Sequence, residues 1–393
     1  MGEIFASFEF LDSLPTLLKT KRIHMYAEMR RFMDNEKEEF FGLLLGLELE
    51  RLEGTPEYIP KVQSAIKQAD DANDTYYRLY FRFTYASEVM FHGDSAKSIP
   101  IVSEFSSIFE EHPEMAEDEA NCEMYLFIML YAIEAAENLP QIPLSQWEDL
   151  MEKYLELTKR FNMGLRDYYM QKCSFYIDID SKKSYDYYQK YLETPGEPVT
   201  FCEACDLSYG VMVNLKTGNY EKSKEYEKKL KNCGGCESAA RRTAFTYLNY
   251  AINNEDYKTA KRYADDLIRT DINEKSTLKY AGEVIRLFAH TDMDNALKLL
   301  QENLPHLNNL WDKKDAFYFC RGAYTAIKIL SETKDEVKLN IPKELPFYHE
   351  DGTYNTSNLA DTFYKLAKDI ATLFDNRNHA DNYMKELTSS ELH

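Results

Sequence analysis

Four of the seven cysteines lie between Thr200 and Ala239, as two Cys-x-x-Cys pairs. Cys202 and Cys205 make the first, Cys233 and Cys236 the second, and 27 residues separate them. Four thiolates supplied this way can close a tetrahedron around zinc at Zn–S distances of ~2.3 Å. No coordination position would stay open, so the site would be structural. Two other readings compete: ordinary packed thiols, and disulfide or redox chemistry. A redox Cys-x-x-Cys belongs with a strand–helix–strand context, and the flanking residues offer none. The interval exceeds the ~15–20 residues between the pairs of common zinc ribbons. Something must fill it.

A helical hairpin fills it. "EACDLSYGVMVNLK" (203–216) and the stretch ending in "KKLKN" read as two helices joined by "TGN". A helix of about 14 residues rises ~21 Å, and an antiparallel partner returns the same distance. Cys202 and Cys205 then open the first helix, and Cys233 and Cys236 follow the second. All four sulfurs arrive at one end. The helix N-terminus favours thiolate there, and the glycines of "CGGC" give the second pair a loop able to wrap an ion. Cys122, Cys173 and Cys320 read as buried packing.

The hairpin recurs. "TGNYEKSKEYEKKL" (217–230), "NEDYKTAKRYADDL" (254–267) and "HTDMDNALKLLQEN" (290–303) align on Tyr220, Tyr257 and Met293. Three residues on stand Ser223, Ala260 and Ala296, all small; three further on stand Tyr226, Tyr263 and Leu299, all bulky. A small residue at helical spacing lets two helices cross closely. Each segment follows another helical stretch: 203–216, then "AARRTAFTYLNYAIN", then "LKYAGEVIRLFAH". Stacked pairs of this kind bury a core that one pair cannot.

These units resemble tetratricopeptide repeats, whose second helix follows a Gly-Asp/Asn-Tyr turn and carries a small residue three positions on. "TGNYEKS" and "NEDYKTA" fit that pattern, whereas Gly210-Val211, Tyr247-Leu248 and Glu283-Val284 depart from its first-helix Leu-Gly signature. Looser copies occupy 76–105 and 165–195, with Ser98 and Ser184 in the small position. The chain is similar to bacterial proteins of this kind. The resemblance implies an all-α α-solenoid, a right-handed superhelix of helix–turn–helix units. It also implies a concave groove lined by first helices, placing Met212, Lys216, Arg242, Phe245, Asn249, Asn253, Ile285 and Phe288 there. Asn249 matches one part of the family's clamp for a peptide carboxylate. Its cationic partners are replaced by Phe245 and Gly282, so chaperone-tail binding is not expected.

On this reading residues 1–70 form capping helices, 71–305 the repeats, and 306–393 C-terminal helices. Within the last part, 331–358 breaks the pattern with Pro342, Pro346 and Gly352. Glycine (14) and proline (12) are scarce and Tyr (30) and Phe (22) abundant, which suits packed helices over an all-β fold. The net charge of −20 disfavours nucleic acid and anionic membrane, which need clustered Lys and Arg. "EKKLKN" and "DKKD" read as solvated faces. No signal peptide, myristoylation motif or membrane-spanning run is present, pointing to a cytoplasmic protein with reduced thiols.

The eight histidines form no metal-binding pair, and neither a phosphate loop nor a nucleophile elbow is present. No enzyme is expected. The sequence points to a scaffold binding a protein or peptide segment. The alternative is a regulator whose superhelix changes conformation on binding a peptide.

Overall fold

In the computed structural model the described residues are 58–389, except 93, 197–198, 200, 234, 271, 273–276 and 309–311; 40, 42–44 and 46–47 are also described. The N-terminal capping helices expected before Tyr58 lie largely outside them. Helices α1 (Tyr58–Asp71), α2 (Thr75–His92), α3 (Ser98–Glu111), α4 (Glu119–Asn138) and α5 (Leu144–Phe161) come first. Then follow α6 (Leu165–Tyr176), α7 (Ser181–Glu193), α8 (Glu203–Lys216), α9 (Tyr220–Asn232), α10 (Glu237–Asn253) and α11 (Tyr257–Ile268). The series continues with α12 (Leu278–Thr291), α13 (Met293–Asn303), α14 (Lys313–Ser331), α15 (Thr356–Asn378) and α16 (Asn382–Ser389). The described residues are all-α apart from one antiparallel ribbon, β1 (Glu336–Lys338) with β2 (Thr353–Asn355). Among the described residues no helix is long and apolar enough to cross a membrane.

The turns follow from local chemistry. After α8, Gly218 takes φ +80°, its amide donates to the Leu215 carbonyl at 3.1 Å, and the Asn219 amide reaches Asn214 at 2.7 Å. That is a left-handed helix cap, which glycine adopts at no steric cost. After α10 the same bonds form around Glu255 at φ +56°, from Glu255 to Ile252 and from Asp256 to Ala251, both 2.9 Å. The next helix in each later hairpin starts on an aspartate cap: Asp256 accepts from the Thr259 amide and Asp292 from that of Asn295.

The small positions carry the hairpin contacts. Ser223, Ala260, Ala296, Ser98 and Ser184 are all fully buried. The Ser223 hydroxyl meets Tyr247 Oη at 2.8 Å, joining α9 to the next hairpin. The first helices α8, α10, α12 and α14 pack in succession, and α15 lies against α14. Helices α12 and α14 cross closely, where Gly282 and Gly322 meet backbone to backbone. A Cβ on Gly322 would sit 2.7 Å from the Gly282 carbonyl carbon and closer still to its oxygen.

One apolar cluster runs from Val211 to Leu387 and takes in Leu339, Ile341, Leu345 and Tyr354 of the irregular segment. That segment is therefore a packed arm, not a linker. The helices after it return to the middle of the chain. Arg377 donates to the Ala136 and Glu137 carbonyls at the end of α4, both at 2.9 Å. Asn382 donates to the Asp178 and Ile179 carbonyls beyond α6, both at 2.7 Å.

Candidate functional site

The cysteine pairs stand where helix ends meet. Cys202 precedes α8 as its N-cap, Cys205 lies in the first turn, Cys233 closes α9 and Cys236 is the N-cap of α10. The Sγ atoms of Cys202, Cys205 and Cys236 lie within 4.8 Å of one another, and Cys205 and Cys236 are 3.7 Å apart. Tetrahedral zinc with Zn–S of ~2.3 Å separates its sulfurs by about 3.8 Å. A disulfide would hold them at ~2.05 Å, and all seven cysteines are free. Three thiols therefore stand close enough to hold a metal ion. Cys233 is outside that group; its thiol is raised by burial and by a hydrogen bond to the Glu203 carboxylate.

The cluster favours negative charge on one sulfur. Hydrogen bonding from Cys205 draws the Cys236 thiol down, helped by Cys202, the Ala239 amide and the positive Arg242. Donating that bond holds Cys205 up. Two helix N-termini, of α8 and α10, converge here, and both stabilise thiolate. Cys122, Cys173 and Cys320 are buried elsewhere.

A hydrogen-bond chain leads from this cluster inward. The Ser208 hydroxyl donates to the Cys205 carbonyl at 2.8 Å and accepts from Arg242 Nη1 at 2.7 Å. The Arg242 guanidinium lies 4.2 Å from the Tyr209 ring centre. From there a charged face crosses the first helices. Lys216 pairs with Asp178 at 3.2 Å and Glu386 at 3.7 Å, and Lys314 with Asp178 at 2.9 Å. Lys279 pairs with Asp315 at 3.3 Å; Glu283 takes Arg286 at 3.1 Å and also bonds Arg321. Arg321 in turn reaches Glu386 on α16 at 3.3 Å.

The residues expected in the groove divide accordingly. Lys216, Arg242, Asn249 and Asn253 all reach this face. Asn249 donates to Glu283 at 3.4 Å, Asn253 donates to Asn249 at 2.9 Å, and Arg286 bonds Asn253. Both amides are thus engaged within the protein. Phe245 packs edge-on to Tyr280 and Tyr318, with centroids 5.6 and 5.2 Å away. Met212 packs beside Tyr209 and Val213, Phe288 lies half-buried against the main core, and Ile285 is wholly inside it.

Sequence reasoning missed several residues of this face. "DKKD" was expected to be a solvated patch, but Lys314 within it faces Asp178 with only 22% of its side chain exposed. Glu134 and Glu137 also went unnoticed, although two acids three apart in the apolar run "MYLFIMLYAIEAAEN" were a legible anomaly. Glu134 keeps solvent-exposed area, yet burial raises its carboxyl, with Lys279, Arg242 and Lys314 acting on it from α12, α10 and α14. Burial likewise pushes Glu137 up to about 7.

No protein-family model matches the chain, and a search of curated proteins finds no match.

Proposed function

We propose that the protein is a non-enzymatic scaffold that binds a peptide or protein segment on the inner face of a tetratricopeptide-like superhelix. The observation that carries this reading is the charged and aromatic face that crosses the first helices. Charged groups of α8, α12, α14 and α16, with Arg242 of α10, gather there beside the aromatic rings of Tyr209, Phe245, Tyr280 and Tyr318. Such a mixture offers hydrogen bonds and stacking to an extended chain without any reacting group. The superhelical arrangement is supported by the recurring turn, the buried small position and the succession α8, α10, α12, α14.

Structural zinc fits the cysteine cluster. Cys202, Cys205 and Cys236 supply three ligands, and Cys233, two glycines away from Cys236, would complete the four on turning from Glu203. Bound zinc would cross-link the start of α8 to the link between α9 and α10, fixing that hairpin. It would also hold the Ser208–Arg242 chain that leads to the charged face.

The test is native mass spectrometry of the full chain against an equimolar random pentapeptide library. A retained subset, lost in Phe245→Ala, supports the reading; a folded protein that retains no peptide refutes it. A second reading, a peptide-responsive regulator, is favoured by one feature. Arg377 and Asn382 tie the C-terminal helices to carbonyls 241 and 204 residues away, closing over the charged face. X-ray scattering would show ligand-dependent contraction if that closure responds to peptide, and an unchanged profile if it does not.

A further inference from the structure

Helix α16 is seated on the charged face by three side chains. Tyr383 stacks on Phe374 with ring centroids 4.7 Å apart and meets Phe317 edge-on at 5.2 Å, and Leu387, one turn on, is fully buried. Between them Glu386 reaches Lys216 of α8 at 3.7 Å and Arg321 Nη1 of α14 at 3.3 Å. Positions 383, 386 and 387 share one helix face. The helix has eight residues, too few to hold its shape without that seat. Residues 379–381 alone link it to α15. That longer helix is anchored separately, by Arg377 on the α4 carbonyls and by its own place in the main core.

The network that α16 meets holds more cations than its own carboxylates balance. Lys216 and Lys314 share Asp178, and Arg286 and Arg321 share Glu283. Glu386 is the third carboxylate; without it four cations would face two. The centre of the network is withdrawn from water, with no side-chain exposure at Arg321 or Glu283, so an uncompensated cation there is costly. Nor does Glu386 satisfy the guanidinium. Arg321 Nε and Nη1 are buried and neither makes a hydrogen bond. Helix α16 fills this surface without completing it.

Resting on the reading that this face binds a protein segment, we propose that α16 is the resident occupant of a docking surface for an acidic amphipathic helix of a partner. The partner helix carries apolar residues at i and i+4 and a carboxylate at i+3, as Tyr383, Leu387 and Glu386 do here. Its carboxylate meets Arg321 and Lys216, and its apolar pair takes the seat on Phe317 and Phe374. The short link gives α16 a high effective concentration, so an incoming helix binds tightly only once α16 is released.

The probe is a fluorescein-labelled, end-blocked peptide of residues 379–389, HADNYMKELTS, titrated with the full chain and followed by fluorescence anisotropy. Two variants release α16 without altering the surface under it: Tyr383→Ser/Leu387→Ser and Glu386→Lys. Each is expected to bind the peptide at least tenfold more tightly than the parent, and a peptide carrying Glu386→Lys should lose that gain. Folded variants that bind no better than the parent overturn the proposal and leave pentapeptide retention by the parent intact. A parent that forms dimers, lost in both variants, overturns a separate partner and assigns the surface to α16 of a second copy. Hydrogen exchange of the parent needs no variant. The α16 amides should exchange at least tenfold faster than those of α15; equal protection would mean that α16 opens only with the whole fold, overturning the proposal.

Discussion

Replacing Gly322 by alanine pits two opposing effects of known size against each other. In an unencumbered helix the change stabilises, because alanine is the better helix former by ~1 kcal/mol. At this crossing the new methyl would lie 2.7 Å from the Gly282 carbonyl carbon. Carbon pairs are at their optimum near ~3.5–4.0 Å, so α12 and α14 must part by about 1 Å. The opposing atoms are backbone, and no side-chain rotation can relieve the clash. Overpacking of this kind costs ~1–3 kcal/mol, and the upper end applies when only backbone can move. The net expectation is a loss of about 2 kcal/mol. Gly282→Ala should behave alike, since its Cβ would stand 2.6 Å from Phe319 Cα. Gly46 is the control: it is helical and exposed, and among the described residues no atom lies within 4 Å of where its Cβ would stand. Gly46→Ala should therefore gain up to ~1 kcal/mol. Urea unfolding followed by far-ultraviolet dichroism gives the three midpoints. If Gly322→Ala unfolds at the same or higher urea than the parent, the close crossing is refuted.

Glu255 occupies a left-handed position that costs a non-glycine residue ~1–2 kcal/mol, so Glu255→Gly should raise stability by up to about 1 kcal/mol in the same assay. Glu137 has its folded carboxyl raised from the ordinary 4.5 to about 7. Its ionisation therefore opposes folding, with no effect below about pH 4.5, a penalty growing towards pH 7, and a plateau above. Glu137→Gln should stabilise by about 1 kcal/mol at pH 8, once partial exposure is allowed for, and by nothing at pH 4; a constant difference across that range would contradict the burial argument. Elemental analysis of untagged protein is expected to find about one zinc per chain, lost with several degrees of thermal stability in Cys205→Ser/Cys236→Ser. Metal-free parent protein with seven reactive thiols would leave the cluster as packing.

Much of the helical framework was legible in the residues themselves. Turn chemistry at Gly218, Asp256 and Asp292, and the small residues Ser223, Ala260 and Ala296, are local signals at short spacing. They placed α8 to α13 to within a few residues. The Cys-x-x-Cys pairs were equally legible, since helix rise alone brings both ends of a hairpin together. Yet only the folded chain distinguished three converging sulfurs from Cys233, whose position depends on how α9 ends. The ribbon of β1 and β2 was missed, because three-residue strands carry too little periodicity to register.

The charged face was decided by tertiary structure. Asp178, Glu283, Lys314, Arg321 and Glu386 are remote in sequence, and nothing in their neighbours says that they meet. Whether a lysine is a solvated face or half of an ion pair depends on what packs opposite it. For Lys314 the answer lies 136 positions earlier, at Asp178. The sequence determined helices, their pairing and a metal-competent cysteine spacing, because those depend on contacts within one hairpin. Burial and charge pairing depend on which hairpins face one another, and only the assembled fold supplies that.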